Sequence, residues 1–441
     1  MRMTRLIIAF VLLAGFSTPA LAIDIQVVKS KSGVTAWLVE EHSLAIVSMQ
    51  VAFRGGAAMD PEQKLGLANM VSGLLDEGAG DLDSNAFQSR LADKAIRLSF
   101  DAGKDTFSGS LQTLSQFSDE AFKLFAMAIT EPRFDKDAVE RIRGQIIVGL
   151  KQDEQDPGYI VSRTWQEAYF GDHPYAWPTS GTLETVPNIQ IADLKKFVHD
   201  RLARDNLYVA VVGDVTADEL KTLLDTAFGD LPKKAVPYIV PPVTPPSKGQ
   251  VIHVDKDVPQ AVVRFGERGI KRDDPDWYAA YVMNYILGGG GFASRLTEVV
   301  REKNGLAYSV GSGLSSLDYA GIFAGYVATA RDSVYKSKDL ISQEIARMAK
   351  GDISEEELNN AKSYLTGSYP LNFDTSGKIA GQLLGVQLEG LGLDYIDNRN
   401  AIIEGVTLEQ VNAAAKRLLD PDNLIWVVVG GDDPADAKDT P

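Results

Sequence analysis

The 441-residue sequence has no cysteine and only four histidines. Without cysteine there are no disulfides, no thiolate metal sites and no cysteine nucleophile. The histidines, His42, His173, His199 and His253, are spread so widely that no two fall within a helical turn or two of each other. A helix holding a metal through two imidazoles is therefore excluded, and each histidine reads as a surface or structural residue. Basic residues are also in deficit, 44 Lys and Arg against 60 Asp and Glu, for a net charge of −16. That balance argues against nucleic acid or anionic membranes as partners and favours solubility. Past the first 22 residues, no apolar run is long enough to span a bilayer.

Those first residues, MRMTRLIIAFVLLAGFSTPALA, have two arginines, an apolar run from Leu6 to Phe16 and an Ala20-Leu21-Ala22 end. The pattern is that of a secretory signal peptide cleaved after Ala22, and the run is short for a membrane anchor. Removing Arg2 and Arg5 takes the net charge from −16 to −18. The expected location is secreted, in the periplasm, without integral membrane association.

The remaining chain is too long for one compact core. Residues 232–249, PKKAVPYIVPPVTPPSKG, hold six of the 19 prolines and read as an extended connector. The segments on either side follow one plan. LYVAVVGDVTADEL (207–220) matches LIWVVVGGDDPADA (424–437), and SLAIVSMQVAFRGGAAMDPEQKLGLANMV matches PQAVVRFGERGIKRDDPDWYAAYVMNYIL. A long-period duplication accounts for both pairs. Strands and helices mix without strict βαβ alternation, which points to α+β rather than a doubly wound parallel sheet.

The most informative stretch is Trp277–Ser312. Trp277, Tyr278, Tyr281, Val282, Tyr285 and Ile286 recur at helical spacing and predict an amphipathic helix. Gly288, Gly289, Gly290 and Gly291 stop it and leave backbone groups open to close approach by another chain. A second helix is expected with Leu296, Val299 and Val300 inward, Arg301 in its last turn and Gly305 as its stop. Leu306, Tyr308 and Val310 then alternate as one strand face. Arg301 and Tyr308, seven residues apart, satisfy two arrangements. Either both side chains reach one surface, where guanidinium and phenol donors suit a peptide carbonyl or carboxylate, or Tyr308 packs in the sheet and Arg301 pairs with Glu298 or Glu302.

LGGGGFASRLTEVVREKNGLAYSV resembles the C-terminal half of the M16 zinc metallopeptidase family, the group of pitrilysin, insulinase and the mitochondrial processing peptidase. The resemblance runs through almost the whole mature chain. It implies a LuxS/MPP-like metallohydrolase fold: two homologous domains, each a largely antiparallel sheet with helices on one face, facing each other across a cleft. The expected divisions are signal peptide 1–22, first domain 23–231, connector 232–249, second domain 250–433 and polar tail 434–441. Arg301 and Tyr308 match the family's substrate-binding pair, and Gly288 to Gly291 its glycine-rich loop.

Active relatives carry His-x-x-Glu-His on a helix of the first half, two imidazoles for zinc and a Glu that activates the bound water. Aligned on GLANMVSGLL, those positions are Asn69, Ser72 and Gly73. Where relatives place a carboxylate ligand, on the helix VERIRGQIIVGLKQD, stand Gly149 and Leu150; the nearest acids are Asp153 and Glu154. No metal is expected in this chain. The resemblance implies a proteolytically inactive, substrate-binding subunit of a two-chain metalloendopeptidase, a heterodimer whose catalytic partner supplies His-x-x-Glu-His and zinc. Two alternatives stay open: a peptide-binding scaffold without a peptidase partner, and a self-sufficient peptidase with an atypical metal site.

Other segments read as structural. Asp76 to Asp83 lacks the spacing of a calcium loop. His173-Pro174-Tyr175 with Trp177-Pro178 reads as an edge seal of the first domain. SEEEL at 354–358 reads as a helix start, Ser354 capping and Glu357 completing a capping box.

Overall fold

The structure is a computed structural model and describes residues 23–431. The expected signal peptide and the polar tail 434–441 lie outside the described residues. In the first half, β1 (Gln26–Lys29), β2 (Thr35–Glu40) and β3 (Ile46–Arg54) precede a small hairpin of β4 (Gly78–Ala79) and β5 (Leu82–Asp83). Then come β6 (Arg97–Ala102), β7 (Thr106–Leu114) and β8 (Leu207–Gly213). The main sheet is ordered β1-β2-β8-β3-β7-β6, antiparallel except for the β2/β8 pair. The second half has β9 (Gln250–Val254), β10 (Ala261–Arg268), β11 (Ala307–Leu317), β12 (Ala320–Thr329) and β13 (Ile425–Val429). Its order is β9-β13-β10-β12-β11, with only β13/β9 parallel.

Strand for strand, that is the order β2-β8-β3-β7-β6 again. The chain is α+β, with two homologous halves built on largely antiparallel sheets. Each half's own helices cover one face. Phe122 and Phe125 of the helix Ser118–Thr130, with Leu220 and Leu224 of Ala217–Phe228, pack on Met49, Val51, Val209 and Val211. In the second half, Ile341, Ile345, Val411 and Ala415 pack on Phe265, Phe323 and Val428.

The opposite faces are not bare, because each half lends the other a helix. Asp156 accepts a hydrogen bond from Tyr159 N and Pro157 occupies the first turn, so a helix starts there and runs Pro157–Phe170. Its Val161, Trp165 and Tyr169 recur every fourth residue and bury against Ile425, Val427 and Val429 of the second sheet. Trp165 Nε1 donates to Ile425 O at 3.1 Å. Gly266 in β10 makes room for that indole, since a Cβ there would stand 2.7 Å from Trp165 Cζ2. Reciprocally, Ala380, Leu383 and Leu384 of the helix Ser376–Leu388 bury against Ala52, Ala210 and Val212 of the first sheet. Gln387 Nε2 donates to Val209 O at 3.0 Å. Central strands β8 and β13 are therefore apolar on both faces, as their unbroken runs require.

Hairpin tips join the halves at a second place. Asp105, between β6 and β7, accepts from Asp318 N at 3.0 Å, and Asp318 lies in the turn between β11 and β12. Tyr175 OH donates to Asp105 and accepts from Tyr319 N. Arg54 bonds Asp318 and the Leu388 carbonyl at the end of the lent helix. The His173-Pro174-Tyr175 loop thus seals the junction between halves rather than an edge of the first. His173 Nδ1 accepts from Tyr175 N, so Nε2 carries the proton and donates to Pro241 O of the connector at 2.7 Å.

Candidate functional site

The helix over Trp277–Asn284 forms, but its deepest face is not the aromatic stripe. Ala279, Ala280, Val282, Met283, Ile286 and Leu287 are buried, whereas Trp277, Tyr278, Tyr281 and Tyr285 are half-buried. Small alanines let the helix lie close to its neighbours, and the bulky rings are displaced to its flanks. There Tyr285 stacks on Tyr364, and Arg272 lies over Trp277 and Tyr278.

After Asn284 the chain widens into a π-type turn over Tyr285–Gly289, closed by Gly290 N to Tyr285 O at 2.8 Å. Such turns recur at functional sites. Three of the four glycines serve this turn's own packing. A Cβ on Gly288 would meet Ser312 Oγ at 2.4 Å, one on Gly289 Asn284 Nδ2 at 2.8 Å, and one on Gly290 Tyr285 O at 2.8 Å. Gly291, with φ +57°, has nothing near its absent Cβ, and it and Gly289 are the exposed members of the run. Asn284 and Ser312 hydrogen-bond across the turn (Ser312 Oγ to Asn284 Oδ1, 2.9 Å) and fix it to β11.

Gly291–Ala293 form one tight turn, which Ser294 Oγ closes by donating to Gly291 O at 2.7 Å. A second π-type stretch, Thr297–Lys303, carries Arg301 and ends at Gly305, φ +62°, with Leu306 N bonded to Val300 O. Leu296 and Val300 are fully buried, while Val299 is only half-buried. Strand β11 then opens with a β-bulge between Ala307 and Ser309. The expected face of Leu306, Tyr308 and Val310 does not exist, because the extra residue in the bulge is Tyr308. It turns out of the sheet and is 75% exposed, while Val310 is buried. Bulges re-aim side chains in this way.

The sequence left two arrangements open for Arg301 and Tyr308; the structure brings them together. The Arg301 guanidinium carbon lies 5.5 Å from the Tyr308 ring centroid and 4.7 Å from that of Phe292, on the turn after the glycines. Its one ion pair, among the described residues, is Nε to Glu302 at 3.4 Å, while Glu298 is taken by Lys303. Among the described residues no hydrogen bond holds Nη1 or Nη2, and the side chain is one-third exposed (33%).

Arg295, which the sequence reading passed over, anchors this segment. It is 8% exposed and bonds Asp352 at 2.6 Å and Glu357 at 2.6 and 2.9 Å. Burial opposes charge on Glu357, but hydrogen bonds from Arg295 and Ser354 overcome it and hold this acid at about 2. The capping box at Ser354 and Glu357 forms as expected, and its Glu does double duty. The sequence signal was present in the SEEE run, but nothing in spacing tied it to an Arg 62 residues away.

In the first half, Asn69 and Ser72 lie on a short helix, Leu67–Ser72, and Gly73 caps its end. Ser72 Oγ is spent on Asn69 O at 2.8 Å. The helix starts beside Asp60, 1% exposed, whose two carboxylate oxygens accept from Ala68 N at 3.2 Å each. Burial pushes Asp60 up to about 7 against those hydrogen bonds and the nearby Arg201. Ile142 Cγ2 would stand 3.4 Å from a Cβ on Gly73. An amide, an already bonded hydroxyl, a glycine and an isoleucine do not fit zinc. On the neighbouring helix Lys136–Asp153, Gly149 is open, Leu150 is buried and Glu154, just past the end, is exposed. Among the described residues no group of three or more His, Asp or Glu is placed to hold a metal ion. Three of the four acids of 76–83 have protein partners: Glu77 pairs with Arg141, Asp76 accepts from Gln88 and Asp83 caps the helix Ser84–Asp93. His42 bonds Asp214 and Glu40, His199 bonds Asp200 and His253 bonds Tyr335.

Fold and site together define a duplicated, two-lobed α+β chain in which one half presents a cationic and aromatic surface and the other a helix without metal ligands. A model described as insulinase (peptidase family M16) matches residues 36–183, and one described as peptidase M16 inactive domain matches 188–365. The chain belongs to the peptidase M16 family. It is 29% identical to the non-peptidase homolog YmxG of Helicobacter pylori, over 88% of this chain and 90% of that protein. An uncharacterized zinc protease of Mycobacterium leprae is 30% identical over 68% of each. The solved peptidase M16 inactive domain from Pseudomonas fluorescens superimposes with a TM-score of 0.87 at 29% identity, covering 93% of this chain and 98% of that one. No helix among the described residues is long and apolar enough to cross a membrane.

Proposed function

We propose that this chain is the substrate-holding, non-hydrolytic subunit of a two-chain M16-type zinc peptidase. The observation that carries the reading is an asymmetry. In the second half a half-buried Arg301 lies beside the exposed Tyr308, while Asn69, Ser72 and Gly73 in the first leave zinc without ligands. Similarity to a non-peptidase homolog and to an M16 inactive domain supports it.

In this reading, the Arg301 Nη groups and the Tyr308 hydroxyl donate to a substrate carbonyl or carboxylate. The peptide is thereby oriented toward a metal-bound nucleophile that the partner supplies from His-x-x-Glu-His. Holding a scissile bond in place is worth several kcal/mol, up to about 7–11 for an ideal intramolecular geometry. The chain is exported through residues 1–22 and acts in the periplasm as two M16-like domains, 23–231 and 250–433, joined by 232–249. Its own residues need no cofactor.

Affinity purification of the tagged chain from its native cells tests the partnership. A co-purifying chain with His-x-x-Glu-His is expected, in stoichiometric amount. Recovery of this chain as a homo-oligomer that binds peptides without such a companion would instead identify a stand-alone scaffold.

A further inference from the structure

We infer that Phe292 is a third arm of the grip and makes it selective for peptides with a large apolar side chain beside the held carbonyl or carboxylate. The inference rests on the reading of Arg301 and Tyr308 as a peptide grip and adds the class of peptide they take.

Phe292 is 73% exposed, in contrast to Phe53, Phe87, Phe107, Phe122, Phe125, Phe228, Phe265 and Phe323, all essentially inaccessible. A bare phenyl ring leaves a large apolar area in water, and on a soluble surface such area marks a contact site when it joins others. Here it joins Tyr308, 75% exposed, around one guanidinium.

Its position is fixed rather than incidental. Gly291 adopts φ +57°, Ala293 N bonds Gly290 O at 3.2 Å, and Ser294 N and Oγ both bond Gly291 O. The rigid turn holds the ring 4.7 Å from the Arg301 guanidinium carbon. A guanidinium close to aromatic rings still offers N–H donors to a carbonyl or carboxylate, and Arg301 spends only Nε on Glu302. An acceptor bound to those donors lies beside both rings. The side chain next to it then meets phenyl and phenol, and an apolar one gains by covering them.

The test uses the mature chain and fluorescein-labelled Gly/Ser decapeptides in which a single Phe occupies each position in turn, with an all-Gly/Ser control, read by fluorescence anisotropy. Wild type is expected to bind the best Phe peptide about tenfold more tightly than the control. Phe292→Ala should reduce that preference to about twofold or less, with the control peptide's affinity unchanged, and Phe292→Tyr should restore it. Arg301→Ala should weaken all peptides. If Phe292→Ala keeps the preference, or weakens every peptide equally, the inference falls while the grip stands. If Arg301→Ala changes nothing, or wild type binds no peptide, the grip itself falls and the inference with it.

Discussion

The short helix after β3 and the longer one after β10 occupy equivalent places in a duplicated strand order, yet the first is a closed structural element and the second leads into an open one. The first begins on a buried carboxylate and ends against Ile142, its Ser72 hydroxyl spent on Asn69 O. The second widens into a glycine turn, a tight loop and a π-type stretch, where exposed Phe292 and Tyr308 flank a half-buried Arg301. A sheet order persists through packing, whereas chemistry resides in a few side chains at strand ends and can be absent from one copy without cost to the scaffold.

The comparison breaks first if the halves prove independent. Trp165→Ala removes an indole that a first-half helix buries against the second half's sheet, and should cost about 4 kcal/mol in a denaturant titration. A loss below about 1 kcal/mol would mean that the lent helix is not what joins the halves.

Two arginines six residues apart in one segment sharpen it next. Arg295→Ala leaves Glu357 without its cation and Asp352 with Arg347 alone, an expected loss of about 3 kcal/mol. Arg301→Ala should change stability by no more than about 0.5 kcal/mol. Equal losses in chemical denaturation would contradict the assignment of one to anchoring and the other to an open surface.

Rebuilding the missing ligands probes the first half. The triple variant Asn69→His, Ser72→Glu, Gly73→His should still hold less than about a tenth of an equivalent of zinc by atomic absorption, because Ile142 borders the site and Gly149 and Leu150 supply no carboxylate. Stoichiometric zinc in that variant would show a site lost by three substitutions alone.

The smallest effect concerns a buried acid in each half, Asp60 beyond β3 and Glu267 within β10. Glu267 is 6% exposed, and burial pushes it up to about 8, with one hydrogen bond from Asp420 N working the other way. Its folded value lies above its ordinary value of 4.5. The stability it contributes is therefore full below that ordinary value and is lost as pH rises through about 8. Glu267→Gln should flatten the decline, with a Tm about 2 °C above wild type at pH 9. Parallel Tm curves for the two proteins across that range would show that Glu267 stays ionised.

Much of this was legible in the sequence, and the failures share a cause. The duplication, the connector, the capping box at Ser354 and the missing zinc ligands are written in local pattern and in residue identity. The lent helices were not seen, since Val161, Trp165 and Tyr169 announce a buried face without saying whose sheet covers it. The apolar continuity of LYVAVV and LIWVVV was the available clue, because a strand covered on one face alternates. Strict alternation misplaced Tyr308, as a one-residue bulge reverses facing without any trace in composition. The tight packing around a Cβ at Gly288, Gly289 and Gly290 was not legible either, because glycine gives the same signal for close packing within the chain as for close approach from outside.

The most direct test of the account is peptide hydrolysis by the purified chain, alone and mixed with the proposed partner, a His-x-x-Glu-His chain from the same cells. The expected result is no turnover and no bound zinc for the chain alone, and turnover on mixing that Arg301→Ala sharply lowers. Chelator-sensitive cleavage by the isolated chain, with one tightly held zinc per molecule, would contradict it.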